Sequence, residues 1–340
     1  HALRPASTAG RSFIAGTPYR SILTLCATCL LVLILALAGC REEDVPEPFE
    51  PTNSHSSYAE GLEKMGLDDT EIGQRWLEAA SSALESPTGI ELPYEERMYF
   101  DPSEPDARGY RFSAERGRSI RVVAEFQGGA DLRSFIDVFR LEEGNTENVH
   151  HVASYSDERN ELAFEPRREN TYVLRIQPEL LRGGMCSLSI THEPVLAFPV
   201  EDSDMDDIHS FFGDPRDGGR RRHEGVDIFA PRGTQVLSVT RGVVRRVGTR
   251  DLGGNIVLVR DEARDLHYYY AHLHEQLAEQ GQRVEPGDPI GTVGNTGNAV
   301  TTPPHLHFGI YEPYFDAVDP WNFLEPGPGR APEPRVDAST

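Results

Sequence analysis

Five polar residues between positions 223 and 307 have the types and spacing to do hydrolytic chemistry. They are His223 and Asp227 in His223-Glu224-Gly225-Val226-Asp227, His272 in Tyr270-Ala271-His272-Leu273, and His305 and His307 in His305-Leu306-His307. A catalytic zinc takes three protein ligands that are neutral or deprotonated near pH 7 and keeps a fourth position for water. His223, Asp227 and one histidine of the closing pair would make such a set. In extended backbone, residues two or four apart share a face, so each pair converges on one side of its segment. His272 is left as a candidate proton carrier. An isolated His-x-His is more often two half-exposed strand residues. Here the five stand among Gly, Pro, Val and Phe, and Pro303-Pro304 fixes the entry to a strand with histidines on one face and Leu306 and Phe308 on the other.

The elements that must position these residues read as strands between Gly turns: Val236 to Val239, Gly242 to Val247, Asn255 to Val259 and Leu266 to Tyr270. Helix signal is nearly absent, with one turn at most over Glu275 to Gln280. The run Arg283 to Gly291 resembles lipoyl and biotinyl carrier domains. Those need a modifiable lysine in a hairpin, and the only lysine is Lys64.

From about Ser210 to Leu324 the chain resembles the lysostaphin/LytM-type zinc endopeptidases of bacterial cell walls. The motifs that carry the likeness are Phe211-Phe212-Gly213, Arg221-Arg222-His223-Glu224-Gly225-Val226-Asp227, Gly233-Thr234, Tyr270-Ala271-His272-Leu273, Gly287-Asp288, Gly291 to Gly297, Pro304-His305-Leu306-His307-Phe308 and Val318-Asp319-Pro320. The resemblance implies a mainly β fold, with an antiparallel catalytic domain of the duplicated hybrid motif kind. It also implies one zinc ion (Zn2+) held by His223, Asp227 and His307, with His272 and His305 as the catalytic pair beside it. His274 departs from relatives that carry Ser after the His-Leu dipeptide and is read as peripheral. Glu224 is an alternative base, and Tyr268 or Tyr270 could donate to an oxyanion, although an aromatic strand core explains the tyrosines equally well.

Towards the start, Arg4, Arg11 and Arg20 precede an apolar run, Ile22 to Gly39, that ends in Leu37-Ala38-Gly39-Cys40. Positive residues, an apolar stretch and small residues before a cysteine read as a lipoprotein signal peptide over 1–39 with Cys40 lipidated. By length alone the run could instead be a retained anchor helix. Cys26 and Cys29 lie inside it, so their spacing is not a redox motif. Cys186 stands alone as a small buried apolar residue, and no disulfide is expected.

Net charge is −22, and without the three arginines of residues 1–39 it becomes −25. Such a chain lacks the basic stripe that nucleic-acid binding demands. It also gains nothing from anionic lipid, so membrane attachment falls to the Cys40 acyl chains. Residues 40–56 read as a tether and 57–86 as a helical segment of two short helices, or one broken at Gly66, with Asp68 to Glu71 as a cap. Residues 87–193 show short strands at regular intervals, the pattern of an accessory β-sandwich. Within it His150-His151 reads as loop surface. Residues 194–207 form a linker, 208–325 the LytM-like zinc peptidase domain, and 326–340 a disordered tail.

Two functions follow. The first is an endopeptidase hydrolysing peptidoglycan cross-links, D-alanyl-diaminopimelate bonds by location, from a lipid anchor in the outer membrane facing the periplasm. Arg41 after the cysteine favours that membrane. Of the arginines just before His223 (Arg216 and Arg220 to Arg222), Arg220 and Arg222 are expected to meet stem carboxylates. The second is a non-catalytic cell-wall binding or amidase-activating module. The presence of all five polar residues favours the enzyme. A regulatory protein partner is not identified by sequence.

Overall fold

The structure is a computed structural model and describes residues 54–127, 132–142, 145–155, 161–326 and 335–336. The expected signal peptide, Cys40 and most of the tether and tail lie outside them. Helix α1 (Ser54–Lys64) begins within the stretch expected as tether. Gly66, at φ +67°, breaks the chain before α2 (Glu71–Glu85). Thr70 caps α2 by accepting the Gly73 N–H at 3.2 Å, which satisfies one of the amides a helix start leaves open. Leu62 and Trp76 face inwards and pack on Phe135 of the sheet beneath.

Nine strands follow: β1 (Thr88–Gly89), β2 (Tyr94–Phe100), β3 (Arg108–Ala114), β4 (Arg118–Gln127), β5 (Ser134–Glu142), β6 (Asn145–Ser154), β7 (Glu161–Phe164), β8 (Asn170–Pro178) and β9 (Gly184–Pro194). They form two sheets, in the orders β1-β3-β8-β5-β6 and β2-β9-β4-β7. Alternate residues such as Ile120, Val122, Leu188 and Ile190 fill the space between them. Cys186 is fully buried opposite Met98. β5 and β8 are buried on both faces because the helices cover the outer one. His150 and His151 lie on β6, paired with β5, rather than in a loop.

Residues 194–207 are not a free linker. Leu196 and Val200 are buried in the core of the next layer, and Ala197 and Leu237 tie the strap down through Val239 and Pro199. Leu196 and Val200, with Val195, Phe198 and Met205 packed beside them, give the segment an apolar face to bury before and within its acidic run.

Beyond it lie β10 (Ile208–Ser210), β11 (Pro215–Arg216), β12 (Arg221–Arg222), β13 (Val226–Phe229), β14 (Gln235–Leu237), β15 (Gly242–Arg250), β16 (Gly254–Asp261), β17 (Leu266–Leu273), β18 (Arg283–Val284), β19 (Pro289–Thr292), β20 (His305–Tyr311) and β21 (Ala317–Val318), with the single helical turn α3 (Trp321–Leu324). The main sheet runs β10-β13-β20-β17-β16-β15-β18, with β21 on β20. One face carries Val226, Ile228, Tyr268, Tyr270, Leu306 and Phe308 into the core; the other is open. Glu275 to Gln280 forms no helix, and Gln276 bridges to Gly291. The sheet abuts the sandwich through Arg264, which reaches Glu165 with hydrogen bonds of 2.7 and 2.8 Å. In the tail expected to be disordered, β22 (Arg335–Val336) pairs in parallel with β2. The fold is mainly β with few helices, as the sequence predicts.

Candidate active site

Strand register builds the site. Across the antiparallel pair β13 and β20, Asp227 faces His307 and Phe229 faces His305. Alternation then sends Val226, Ile228, Leu306 and Phe308 to the core and leaves the polar residues on the open side. Ala271 of β17 lies opposite His307 and is small enough to leave the cleft clear. His223 arrives from the hairpin of β11 and β12, which turns through positive-φ Asp217, Gly218 and Gly219. Gly225 lets the hairpin cross close over β20, where a Cβ would lie 2.3 Å from the Phe308 carbonyl oxygen.

His223, Asp227 and His307 form the one group of potential metal ligands among the described residues. His223 Nε2 lies 2.9 Å from His307 Nδ1, and Asp227 Oδ1 lies 3.0 Å from each of those nitrogens. His223 Nδ1 is 2.9 Å from the Phe211 carbonyl. A carbonyl only accepts, so Nδ1 carries the proton and Nε2 presents a bare lone pair. Three acceptor atoms therefore face each other with at most one proton, on His307 Nδ1, to share. A divalent cation resolves that arrangement. The sides of the triangle approach the roughly 3.3 Å that separates ligands about a tetrahedral zinc with bonds near 2.0–2.1 Å. The residues fit a zinc with an open position.

Burial works to raise the Asp227 carboxyl, whereas a proton that His223 or His307 turns towards it lowers it, well below the usual carboxylate range. Burial pushes His307 down. Asp227 Oδ2 is taken by Arg216 Nη2 at 2.8 Å, so one oxygen remains for a metal.

His272 and His305 complete the cleft, with ring centroids 5.0 Å apart. His272 Nδ1 donates to the Thr296 carbonyl at 2.9 Å and His305 Nδ1 to the Pro303 carbonyl at 2.9 Å, so both turn a bare Nε2 away from the backbone. Burial, followed by repulsion from His307 and His305, lowers His272 to about 4 and keeps it neutral at neutral pH. Strict alternation along β17 would put His272 in the core with Tyr268 and Tyr270. A register shift opposite Asn255 and Val257, with His272 itself at φ +62°, turns it to the open face instead. The cleft of about 500 Å³ is lined by all five polar residues together with Arg216, Arg221, Glu224, Tyr269 and Tyr311.

Several expectations are redirected. Tyr268 and Tyr270 are fully buried in the core, and the Tyr270 hydroxyl accepts the Val239 N–H at 3.0 Å, so neither reaches the cleft. Tyr269 between them does, as period-two alternation allows once one neighbour is known to be core. Arg221 lines the cleft, whereas Arg222 turns to the Gly213 carbonyl and Arg220 to that of Asp217. Adjacent residues of a strand point to opposite sides, and this separates Arg221 from Arg222. Glu224 is at the rim, 3.4 Å from the Tyr311 hydroxyl. His274 is exposed.

A convergent His-Asp-His set with two further imidazoles on an open antiparallel sheet is a donor set that could hold a divalent metal ion. Residues 221–320 match the sequence model of Peptidase family M23, so this segment of the chain is similar to that family. It is similar to the L-Ala--D-Glu endopeptidase of Bacillus subtilis, 42% identical over 124 residues that cover 34% of this chain and 38% of that protein. It is also similar to the peptidoglycan DD-endopeptidase ShyC of Vibrio cholerae, 37% identical over 28% of this chain and 21% of that protein. The chain thus spans well under half the length of these two relatives. Among solved structures, the catalytic domain of the antimicrobial peptidase lysostaphin from Staphylococcus simulans aligns with 34% of this chain and 88% of its own, at 32% identity and a TM-score of 0.31.

Proposed function

We propose that the protein is a zinc endopeptidase acting on peptide cross-links of bacterial peptidoglycan. The observation that carries this reading is the convergence of His223 Nε2, Asp227 Oδ1 and His307 Nδ1 to within 3.0 Å of one another, with no donor to satisfy all three. These residues would hold the ion, and a bound zinc would polarise a scissile carbonyl and bring the pKa of water from ~15.7 towards ~7. His272 and His305 do the proton work: their Nδ1 atoms are fixed by backbone carbonyls, and their Nε2 atoms take the proton of the attacking water and return it to the leaving amine. No nucleophilic serine or cysteine is required.

The named relatives differ in the bond they cut, so their names do not choose it. We assign D-alanyl-diaminopimelate cross-links, the bond presented to an enzyme anchored through lipidated Cys40 at the outer membrane and facing the periplasm. Arg221 and Arg216, rather than Arg220 and Arg222, are the guanidinium groups within the cleft. Mass analysis of defined cross-linked dimers incubated with the full chain tests the proposal. Dimers should become monomers, chelator should stop this, and zinc should restore it. Cleavage confined to pentaglycine peptides would refute the bond assignment. Zinc uptake with no cleavage of any peptide would leave a non-catalytic wall-binding or amidase-activating module.

A further inference from the structure

The cleft does not end at the metal-type cluster. On the open face of the main sheet, the Tyr269 ring lies 6.1 Å from that of His307, Tyr311 lies 6.1 Å from Tyr269, and Phe315 lies 6.3 Å from Tyr311. Register accounts for this row: Tyr269 is opposite Gly309, and His267 is opposite Tyr311, on the face that carries His307. Gly309 keeps the floor low, since a Cβ there would come within 2.9 Å of the Tyr311 ring.

The row ends on a turn that presents aromatic surface to solvent. Phe315 is 61% exposed and Tyr314 is 91% exposed. Phe315 is held at φ +66°, a costly region for a bulky residue. The turn is braced: Phe315 N–H donates to the Glu312 carbonyl, Glu312 N–H donates to that of Asp316, and the Glu312 carboxylate pairs with Arg116 of the sandwich at 2.7 Å. The Phe315 ring stacks on His267 at 5.3 Å and 17°. Two large rings displayed on a strained, braced turn forgo the burial that would stabilise them elsewhere, a pattern that marks a contact surface.

We infer that Tyr311, Tyr314 and Phe315 form a docking strip for the sugar ring from which the cleaved peptide hangs, an N-acetylated hexosamine. This rests on the proposed reading of the cleft as a peptidoglycan peptidase site. Flat aromatic faces suit the C–H face of a neutral sugar. Anionic lipid is disfavoured by Glu224, Glu312 and Asp316 close by and by a net charge of −22. The reach also agrees. Three ring-to-ring steps of 6.1 to 6.3 Å span no more than about five or six extended residues at roughly 3.4 Å each, a length of the order of the peptide stem between a cross-link and its sugar.

The test compares the full chain with its Tyr314→Ala/Phe315→Ala variant on two dimers, one bearing its amino sugars and one stripped to peptide. Binding of a peptide-free N-acetylhexosamine oligosaccharide is measured alongside by calorimetry. The variant should raise KM for the sugar-bearing dimer at least about fivefold, leave kcat and the stripped dimer unchanged, and lose oligosaccharide binding; a fivefold change needs only part of what a base stacked on an aromatic contributes. Equal loss on both dimers, no loss on either, or loss of binding only to anionic vesicles would overturn the strip. If the wild type cuts neither dimer, the peptidase reading fails on its own. The calorimetry then still decides the strip, since retained oligosaccharide binding in the variant, or none in the wild type, refutes it.

Discussion

In the sandwich, Asp137 is fully buried and both its oxygens are met: Arg175 Nη2 lies 2.7 Å from Oδ2 and Ser154 Oγ 2.7 Å from Oδ1. Gln177 nearby is likewise paired at both ends, with His55 at 2.7 Å and the Trp76 carbonyl at 2.8 Å. In the cleft, Asp227 is nearly as buried, and Arg216 meets Oδ2, but Oδ1 faces two imidazole nitrogens that have one proton between them at most. Each acceptor is matched to a donor in one region, whereas acceptors are in surplus in the other. A buried surplus of lone pairs costs stability unless something positive joins it. The first arrangement therefore belongs to the fold, and the second suits a bound cation.

Substitution at the two aspartates should separate these roles most sharply. Asp227→Ala, like His223→Ala or His307→Ala, should abolish zinc uptake and turnover, yet cost the metal-free protein little stability because it relieves the crowding of acceptors. Asp137→Ala strands Arg175, itself nearly buried, and should cost about 3–5 kcal/mol, while the folded fraction keeps wild-type zinc content. Metal analysis with thermal unfolding in chelator checks both. Wild-type zinc stoichiometry in Asp227→Ala, or equal destabilisation by the two changes, would undo the contrast. His272→Ala and His305→Ala should retain zinc and lose turnover by roughly 10²–10⁴-fold.

How far the sequence reveals this contrast depends on whether the chain keeps its period. β20 does, so His305 and His307 against Leu306 and Phe308 are legible as two faces. β17 does not: the irregularity at His272 moves that residue from the core face to the cleft, so its residue type and the family resemblance point to it while the alternation does not. β2 carries Glu95, Glu96 and Arg97 in the middle of its seven residues, so its core contacts through Tyr94, Met98 and Phe100 are masked. Arg216 looks like one of four neighbouring arginines until the hairpin folds it onto Asp227.

Arg216 comes next in expected effect. It neutralises Asp227 and occupies Oδ2, which commits Oδ1 to the metal position. Groups that orient a ligand in this way typically change metal affinity about 10–100-fold. Arg216→Gln should weaken zinc binding by that order in chelator competition, with partial rescue in Arg216→Lys and little change in unfolding of the metal-free protein. Unchanged affinity in Arg216→Gln would mean that the pair serves only the hairpin.

Cys186 gives a smaller readout on the matched side of the comparison. Burial pushes its thiol up to about 12, so at pH 8 it carries almost no thiolate, and reaction needs the thiolate. Alkylation of the folded protein at that pH should be negligible and should become rapid in denaturant. Fast labelling without unfolding would show that the sandwich core around Met98 opens.

The smallest effect is expected where an unmatched group has no ligand to wait for. The Tyr268 hydroxyl is buried with no hydrogen-bond partner among the described residues, beneath the cleft but on the core face, and its ring stacks parallel on Phe308 with centroids 6.3 Å apart. Burial holds the phenol well above its ordinary pKa, so it stays neutral. Tyr268→Phe keeps the ring and removes the unpaired hydroxyl, so stability should be unchanged or rise by up to about 1 kcal/mol, with zinc uptake and turnover untouched. Tyr270→Phe is the matched control. Its hydroxyl accepts the Val239 N–H, and removing it leaves a buried amide unpaired at a cost of about 1–3 kcal/mol. Denaturant unfolding of the two variants distinguishes an incidental vacancy from a paired one. If Tyr268→Phe loses as much as Tyr270→Phe, the Tyr268 hydroxyl is bonded in solution, and an unpaired polar atom in this fold can no longer be taken by itself as a mark of function.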